Sequence, residues 1–406
     1  MKKTFPKGLV FVLCYVAYVS IYAARLNLAQ ASPILIEGGL LTSEQYGFLG
    51  SAFFWVYACS RLLNGMIGDR VAPWVMISLG LFLTGAANML IGTLPAYLLI
   101  LILWCVNAYG QSMLWSSLLR CMTGLYGKET ADKKVPILVS SVSVGNIAGI
   151  VLCTWMVESF DIRAACLAPG IVTVLMGVLA LVILRSVPTA PAPAKQSFPL
   201  MEFIRDKKIR GMLLPALFHG VIKDNIGTWM AIYFVTRYGI DLKASSLFVL
   251  LIPTVGMVGR LVYPMLYKLS DRRENMISVL SFVACAMLAA VMCLNPGAWV
   301  AAICLSLIYA LVSMINTSTL SMFPLRFAEK NMVSSVSGVA DCFTYLGAGI
   351  GSAIYGYWNK GGDFSAMYIS WVVLCVLSIG LLMLLKPFEK EQEGGKLNEI
   401  SSAKST

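Results

Sequence analysis

Apolar runs of about 20 residues recur along nearly the whole chain, each ended by a short polar stretch, and a run of that length crosses a bilayer as a helix. The pattern predicts twelve such helices, near 8–31, 46–66, 73–93, 96–122, 136–157, 163–185, 209–235, 245–268, 275–293, 297–321, 332–356 and 365–386. An amphipathic period is weak inside them, as expected of helices that face lipid or one another on every side. One long polar interruption, Arg185 to Lys208, divides the pattern in two. It opens with Pro188, Pro191 and Pro193, a stiff extended linker, and continues through Ser197 to Arg205, where a short surface helix is predicted. The fold class is all-α integral membrane: twelve transmembrane helices in two pseudo-symmetric six-helix bundles, 1–185 and 209–387. They are joined by a cytoplasmic linker, 186–208, and followed by a charged tail, 388–406, predicted to be disordered.

Composition excludes a soluble protein: of 406 residues, 58% are hydrophobic and only 13% charged. Lys and Arg outnumber acidic residues 31 to 20, and their positions matter more than their number. Clusters at Lys2 to Lys7, Lys128 to Lys134, Lys195 to Arg210, Lys268 to Arg273, Arg326 to Lys330 and Lys386 onward fall in every second loop. That alternation places both termini in the cytoplasm and requires an even number of spans. The expected location is the plasma (inner) membrane. A nucleic-acid surface needs its charge on one contiguous face, which this distribution does not supply. The eleven cysteines lie mostly within the spans, with no CxxC pair, so neither disulfides nor a metal site is indicated. Lys2, Lys3, Lys7 and Ala29-Gln30-Ala31 mimic a signal peptide, but the apolar run is long and contains Arg25, so retention is expected.

The two halves echo each other. Arg61 precedes Gly68-Asp69-Arg70, and about 199 residues later Arg260 precedes Asp271-Arg272 in the corresponding loop. Arg25 in span one is matched at nearly the same offset by Lys223 in span seven. Transporters built from such repeats hold their substrate between the halves near the bilayer midplane. A charge there costs about 2.5–3.5 kcal/mol even on the mildest scale, so it faces a water-filled path or a partner. Tyr15, Tyr18, Tyr22 and Arg25 are spaced three and four apart, setting three phenols and a guanidinium along one helix face, a donor set suited to an oxyanion. The alternatives are an Arg25 that snorkels from the span's end or pairs with an internal acid. In span seven His219, Lys223, Met230 and Tyr233 share a face, with Asp224 about a quarter turn away; a neutral Lys223–Asp224 pair is the competing arrangement. His219 is either a proton carrier or a polar lining residue. Asp341, one turn before Tyr345, is a coupling residue or the partner of Lys223 in the empty protein. Asp69, Arg70, Asp271 and Arg272 are expected to latch one conformation through ion pairs and helix-end dipoles. No nucleophile–base set or phosphate-binding loop of the Walker type appears, so an enzyme has nothing to stand on.

The Gly68-Asp69-Arg70 loop, the duplication and the proline linker resemble the major facilitator superfamily. Within it the chain is similar to the organophosphate:phosphate antiporters, the carriers of glycerol 3-phosphate and hexose phosphates. The likeness rests on Tyr18-x3-Tyr22-x2-Arg25-x-Asn27, Tyr57-x2-Ser60-Arg61-x3-Gly65-x2-Gly68-Asp69-Arg70 and Gln111-x3-Trp115-x4-Arg120. Trp229, Tyr309 and Tyr345-Leu346-Gly347 extend it. The resemblance implies Arg25 and Lys223 as primary anion ligands, with Tyr18, Tyr22, Tyr57, Arg61, Tyr309 and Tyr345 lining or gating the cavity. Trp115, Asn146 and His219 are expected beside them as further lining residues, and the intramembrane acids Asp341 and Asp224 are expected in coupling. Lys223-Asp224 stands where the best-known members have an arginine, and Gly145 where the glycerol-3-phosphate carrier has a histidine. The expected function is secondary active transport of a small organic anion by alternating access, as exchange, by a monomer without cofactor or metal. Inorganic phosphate or a proton would be the counter- or co-ion, and membrane lipid the surroundings. A proton- or sodium-coupled carboxylate symporter and a transporter-like membrane sensor are the alternatives.

Overall fold

A computed structural model describes residues 5–68, 71–93, 96–187, 207–270, 273–325 and 333–385. These form twelve long helices: α1 (Lys7–Glu37), α2 (Ser43–Gly68), α3 (Pro73–Ile91), α4 (Tyr97–Tyr126), α5 (Lys128–Ser159), α6 (Ile162–Ile183), α7 (Lys207–Tyr238), α8 (Leu242–Leu269), α9 (Glu274–Cys293), α10 (Ala298–Thr317), α11 (Val333–Trp358) and α12 (Ser365–Leu385). Every predicted span coincides with one of them. The helices run past the apolar runs at several ends, as where α5 begins at Lys128, because backbone hydrogen bonding continues after the side chains leave the lipid. The predicted surface helix in the linker, the tail, and Asp69, Arg70, Asp271 and Arg272 all lie outside the described residues.

The halves pack alike. Equivalent pairings recur in both: α1 with α5, α3 with α6 and α2 with α4 in the first, and α7 with α11, α9 with α12 and α8 with α10 in the second. Six-position equivalence is therefore built into the packing as well as into the sequence. Between the halves, α2 lies along α11 and α5 along α8, again a symmetric pair of contacts. Among the described residues nine helices are long and apolar enough to cross a membrane by those criteria alone; α2, α7 and α11 are not among them. Of these, α11 packs on both α2 and α7, which screens polar and small residues of all three from lipid.

The outer face is apolar. Leu261, Leu269, Leu294 and Leu384 are largely exposed, which in water would invite aggregation and in a bilayer is the surface that lipid covers. Trp155, Phe160, Trp299, Tyr357 and Trp358 project at the end remote from the chain termini, as an interfacial aromatic girdle does.

At that same end the halves interlock through small residues. A Cβ on Gly47 would come within 2.6 Å of the Ser352 carbonyl oxygen and 2.7 Å of the Gly356 Cα. Only glycine permits this approach, and it is fixed by hydrogen bonds from the Ser352 hydroxyl to the Gly47 carbonyl (2.9 Å) and from Ser51 to the Gly349 carbonyl (2.7 Å). On the α5–α8 side, Thr154 and Ser246 share a hydrogen bond of 2.7 Å. Glu44 and Lys360 form an exposed ion pair at the rim (3.0 Å).

α10 ends irregularly. The turn that continues it, Ser318–Met322, widens to π geometry just before Pro324. Pro324 has no N–H, so the Leu320 carbonyl one turn back loses its helical donor. The Ser337 hydroxyl of α11 supplies the replacement at 2.8 Å.

Candidate functional site

A cavity with an empty volume of about 860 Å³, its open part included, lies between the halves and is lined by α1, α2, α4, α5, α7, α8, α10 and α11. Arg25 enters it from α1. Its guanidinium lies within cation–π range of five rings: Phe53 (4.7 Å), Tyr57 (5.3 Å), Phe54 (5.6 Å), Tyr345 (5.7 Å) and Tyr22 (6.0 Å). The rings brace one another: Phe53 stacks on Tyr57 one helical turn away, and Tyr57 meets Tyr345 edge-on at 4.7 Å across the two halves. No hydrogen bond or ion pair engages Arg25 among the described residues. Aromatic faces stabilise a guanidinium by about 0.5–2 kcal/mol per contact, depending on desolvation, and leave its in-plane N–H donors unspent. The result is a charge held in place with its fork available to an anion.

Lys223 enters from α7 and lies 5.7 Å from the Tyr345 ring, which therefore touches both cations. The quarter-turn separation between Lys223 and Asp224 does not keep them apart: Nζ lies 3.2 Å from Oδ2. The long lysine stem reaches round the helix, and a buried carboxylate left alone would cost more than the bent side chain. The Asp341 carboxylate likewise has a different partner from Lys223. It pairs with Arg61 at 2.9 Å, joining α11 to α2, while Arg61 also donates to the Tyr57 hydroxyl (3.1 Å).

Tyr22, Asn146, Lys223, Asp224, Tyr309 and Tyr345 line the cavity with Arg25. Tyr57 belongs to the aromatic cage. Tyr18 and Trp115 do not line it; their rings pack at 5.3 Å inside the first half, next to Tyr22. His219 is fully buried within the second half, its Nδ1 at 2.8 Å from the Ala216 carbonyl and its Nε2 at 3.1 Å from Asn316, and it is not a lining residue. The sequence placed His219 on the face of Lys223. The helix indeed brings the two near each other, but α10 closes over the imidazole before it can reach the cavity.

Sequence reasoning passed over Phe53, Phe54, Trp104 and Thr228, and treated Arg260 only as the echo of Arg61. Arg260 lines the cavity from α8 and donates to the Ser143 hydroxyl of α5 at 3.3 Å. The Phe53-Phe54-x2-Tyr57 cluster was legible as an aromatic run, but nothing in its spacing says that it encloses a cation from another helix.

The architecture and the charged, ring-lined cavity between repeats correspond to a family. A Major Facilitator Superfamily profile matches residues 14–352. The chain belongs to that superfamily. Within the Major Facilitator Superfamily it is similar to a probable hexose phosphate transport protein of Chlamydia trachomatis (serovar D), with 26% identity over 190 residues, 47% of this chain and 42% of that protein. It thus matches well under half the length of that relative. It is 22% identical over 413 residues to the glycerol-3-phosphate transporter of Bacillus subtilis (strain 168), covering 92% of this chain and 91% of the relative. It is also 21% identical over 277 residues to the membrane sensor protein UhpC of Escherichia coli (strain K12), 62% and 63% of the two chains. Among solved structures, a bacterial homologue of the human lysosomal transporter Spinster, inward-facing and occupied, superposes with a TM-score of 0.74 at 13% identity. That match covers 94% of this chain and 97% of the other. The structural likeness establishes the superfamily fold.

Proposed function

We propose that this protein is a secondary active transporter that carries a small organic anion, a phosphate monoester in the most concrete form, by alternating access and in exchange for inorganic phosphate. The observation that carries the reading is Arg25, fixed by five aromatic rings in the inter-half cavity with its donors unspent. The names of the hexose-phosphate and glycerol-3-phosphate relatives support the substrate class. In the empty state Lys223 rests on Asp224. An entering anion competes for Lys223, so that Arg25 from one half and Lys223 from the other hold one ligand and draw the halves 1–185 and 209–387 together. Asp224 and Asp341 are thereby cast in coupling, since each is released or retained as the halves rock about the cavity. Both termini lie in the cytoplasm in this reading, with the protein a monomer in the plasma membrane and the Asp69–Arg70 and Asp271–Arg272 loops latching one conformation.

A sensor is the second reading, favoured by the match to UhpC over 62% of the chain. Counterflow in proteoliposomes separates the two. Vesicles loaded with unlabelled phosphate should accumulate external labelled phosphate, and glycerol 3-phosphate or glucose 6-phosphate should compete, with or without a pH gradient. Saturable binding without flux would give the sensor; flux only with an imposed pH gradient would give a proton symporter.

A further inference from the structure

The cavity carries four formal charges among its lining residues: Arg25, Lys223, Asp224 and Arg260. Lys223 and Asp224 cancel at 3.2 Å. Two cations remain without a carboxylate partner among the described residues, and the internal repeat explains why the second is uncompensated there. Arg260 follows Arg61 by 199 residues, and Asp341 follows Ser143 by 198, the interval that separates Lys223 from Arg25. The contacts follow the same symmetry. Arg61 of α2 meets Asp341 of α11 at 2.9 Å, and Arg260 of α8 meets Ser143 of α5 at 3.3 Å. Helices α2 and α8 are equivalent in the repeat, as are α11 and α5. The same bridge between halves is therefore built twice, once with a carboxylate and once with a hydroxyl. A hydroxyl accepts a hydrogen bond but supplies no charge, so a guanidinium in a low-dielectric cavity is left with a full positive charge to be met.

Resting on the reading of this cavity as an organic-phosphate site, we infer that Arg260 is a further anion ligand beside Arg25 and Lys223, and that serine in place of aspartate at position 143 sets the cavity's preference for a dianion over a monoanion. Arg25 and Arg260 together match the charge of about −1.5 to −2 that a phosphate monoester carries near neutral pH. Arg61, whose charge Asp341 already meets, closes the seam without drawing on the substrate. The asymmetry between two otherwise equivalent bridges thus separates a structural arginine from a ligand-binding one.

The test compares equilibrium binding of methyl phosphate, a dianion at pH 8, with dimethyl phosphate, a monoanion, to the detergent-purified full chain. Wild type should bind methyl phosphate the more tightly. Ser143→Asp restores the missing carboxylate and neutralises Arg260, and Arg260→Gln removes the charge. Each should weaken methyl phosphate about 10-fold or more while changing dimethyl phosphate by less than about 3-fold. Ser143→Asn, similar in size and uncharged, should keep the wild-type preference. If Ser143→Asp does not yield folded protein, the Arg260→Gln comparison decides alone. Wild-type methyl phosphate affinity in both charged-pair variants, or equal losses for the two esters, would overturn the role of Arg260 and leave the anion site at Arg25 standing. Wild-type protein that binds neither ester would overturn the phosphate reading and this inference together.

Discussion

Arg25 and Lys223 occupy equivalent positions in the two repeats, yet their surroundings make them chemically different. Arg25 has aromatic neighbours and unspent donors, whereas Lys223 has a carboxylate at 3.2 Å. Losing one partner of a buried, hydrogen-bonded charge pair costs roughly 2–5 kcal/mol, about 30-fold to several thousand-fold in affinity. Arg25→Ala should fall in that range for phosphate binding, measured by calorimetry on purified protein. Arg25→Lys should also lose affinity, because a point charge cannot present a planar fork. Lys223→Ala should be worse than Lys223→Ala/Asp224→Ala, since the single variant leaves Asp224 as an uncompensated carboxylate facing an anion. A double variant no better than the single would mean that Asp224 does not act through Lys223.

At the scale of elements, the polar helices α2, α7 and α11 are held by devices that hydropathy does not display. The widened turn that continues α10 is one. Pro324 frees the Leu320 carbonyl, and Ser337 of α11 meets it at 2.8 Å. Hydrogen bonds between membrane helices contribute about 0.6 kcal/mol on average and up to about 1.7 kcal/mol. Ser337→Ala should therefore lower the thermal midpoint of the detergent-solubilised protein slightly, whereas Ser337→Thr, which keeps the donor, should not. A larger fall in Ser337→Thr than in Ser337→Ala would show that packing and not the hydroxyl matters there.

For the molecule as a whole, the decisive surface is the seam remote from the termini, where Gly47 meets Ser352 and Gly356. Alternating access requires that this seam open. A side chain at position 47 cannot fit while it is closed, so Gly47→Val should bias the protein toward the state open at that end and slow exchange. The measurement is labelling of a Thr228→Cys variant, free of native cysteines, by an impermeant thiol reagent applied from that side. Labelling should rise when Gly47→Val is added. Unchanged labelling with unchanged exchange would mean that the seam is not a closing surface.

The chain's periodic alternation of apolar runs and basic loops made the twelve helices and their duplication legible, because membrane insertion is largely local: a run of sufficient apolar length crosses, while the less apolar α2, α7 and α11 also rely on their neighbours. The costly charges Arg25, Lys223, Asp224, Asp341, Arg61 and Arg260 were visible for the same reason. Their partners were not. Whether Asp341 met Lys223 or Arg61, and which rings enclosed Arg25, depended on how helices from opposite halves approach, whereas His219 was closed off by α10 within its own half and Lys223 reached Asp224 round its own helix. That approach is fixed by close-packed small residues such as Gly47 and Gly356, whose meaning lies in the backbone opposite them. Helical spacing places a side chain on a face of its own helix; only the tertiary structure supplies what that face meets, and with charges in a low-dielectric interior the partner decides the chemistry.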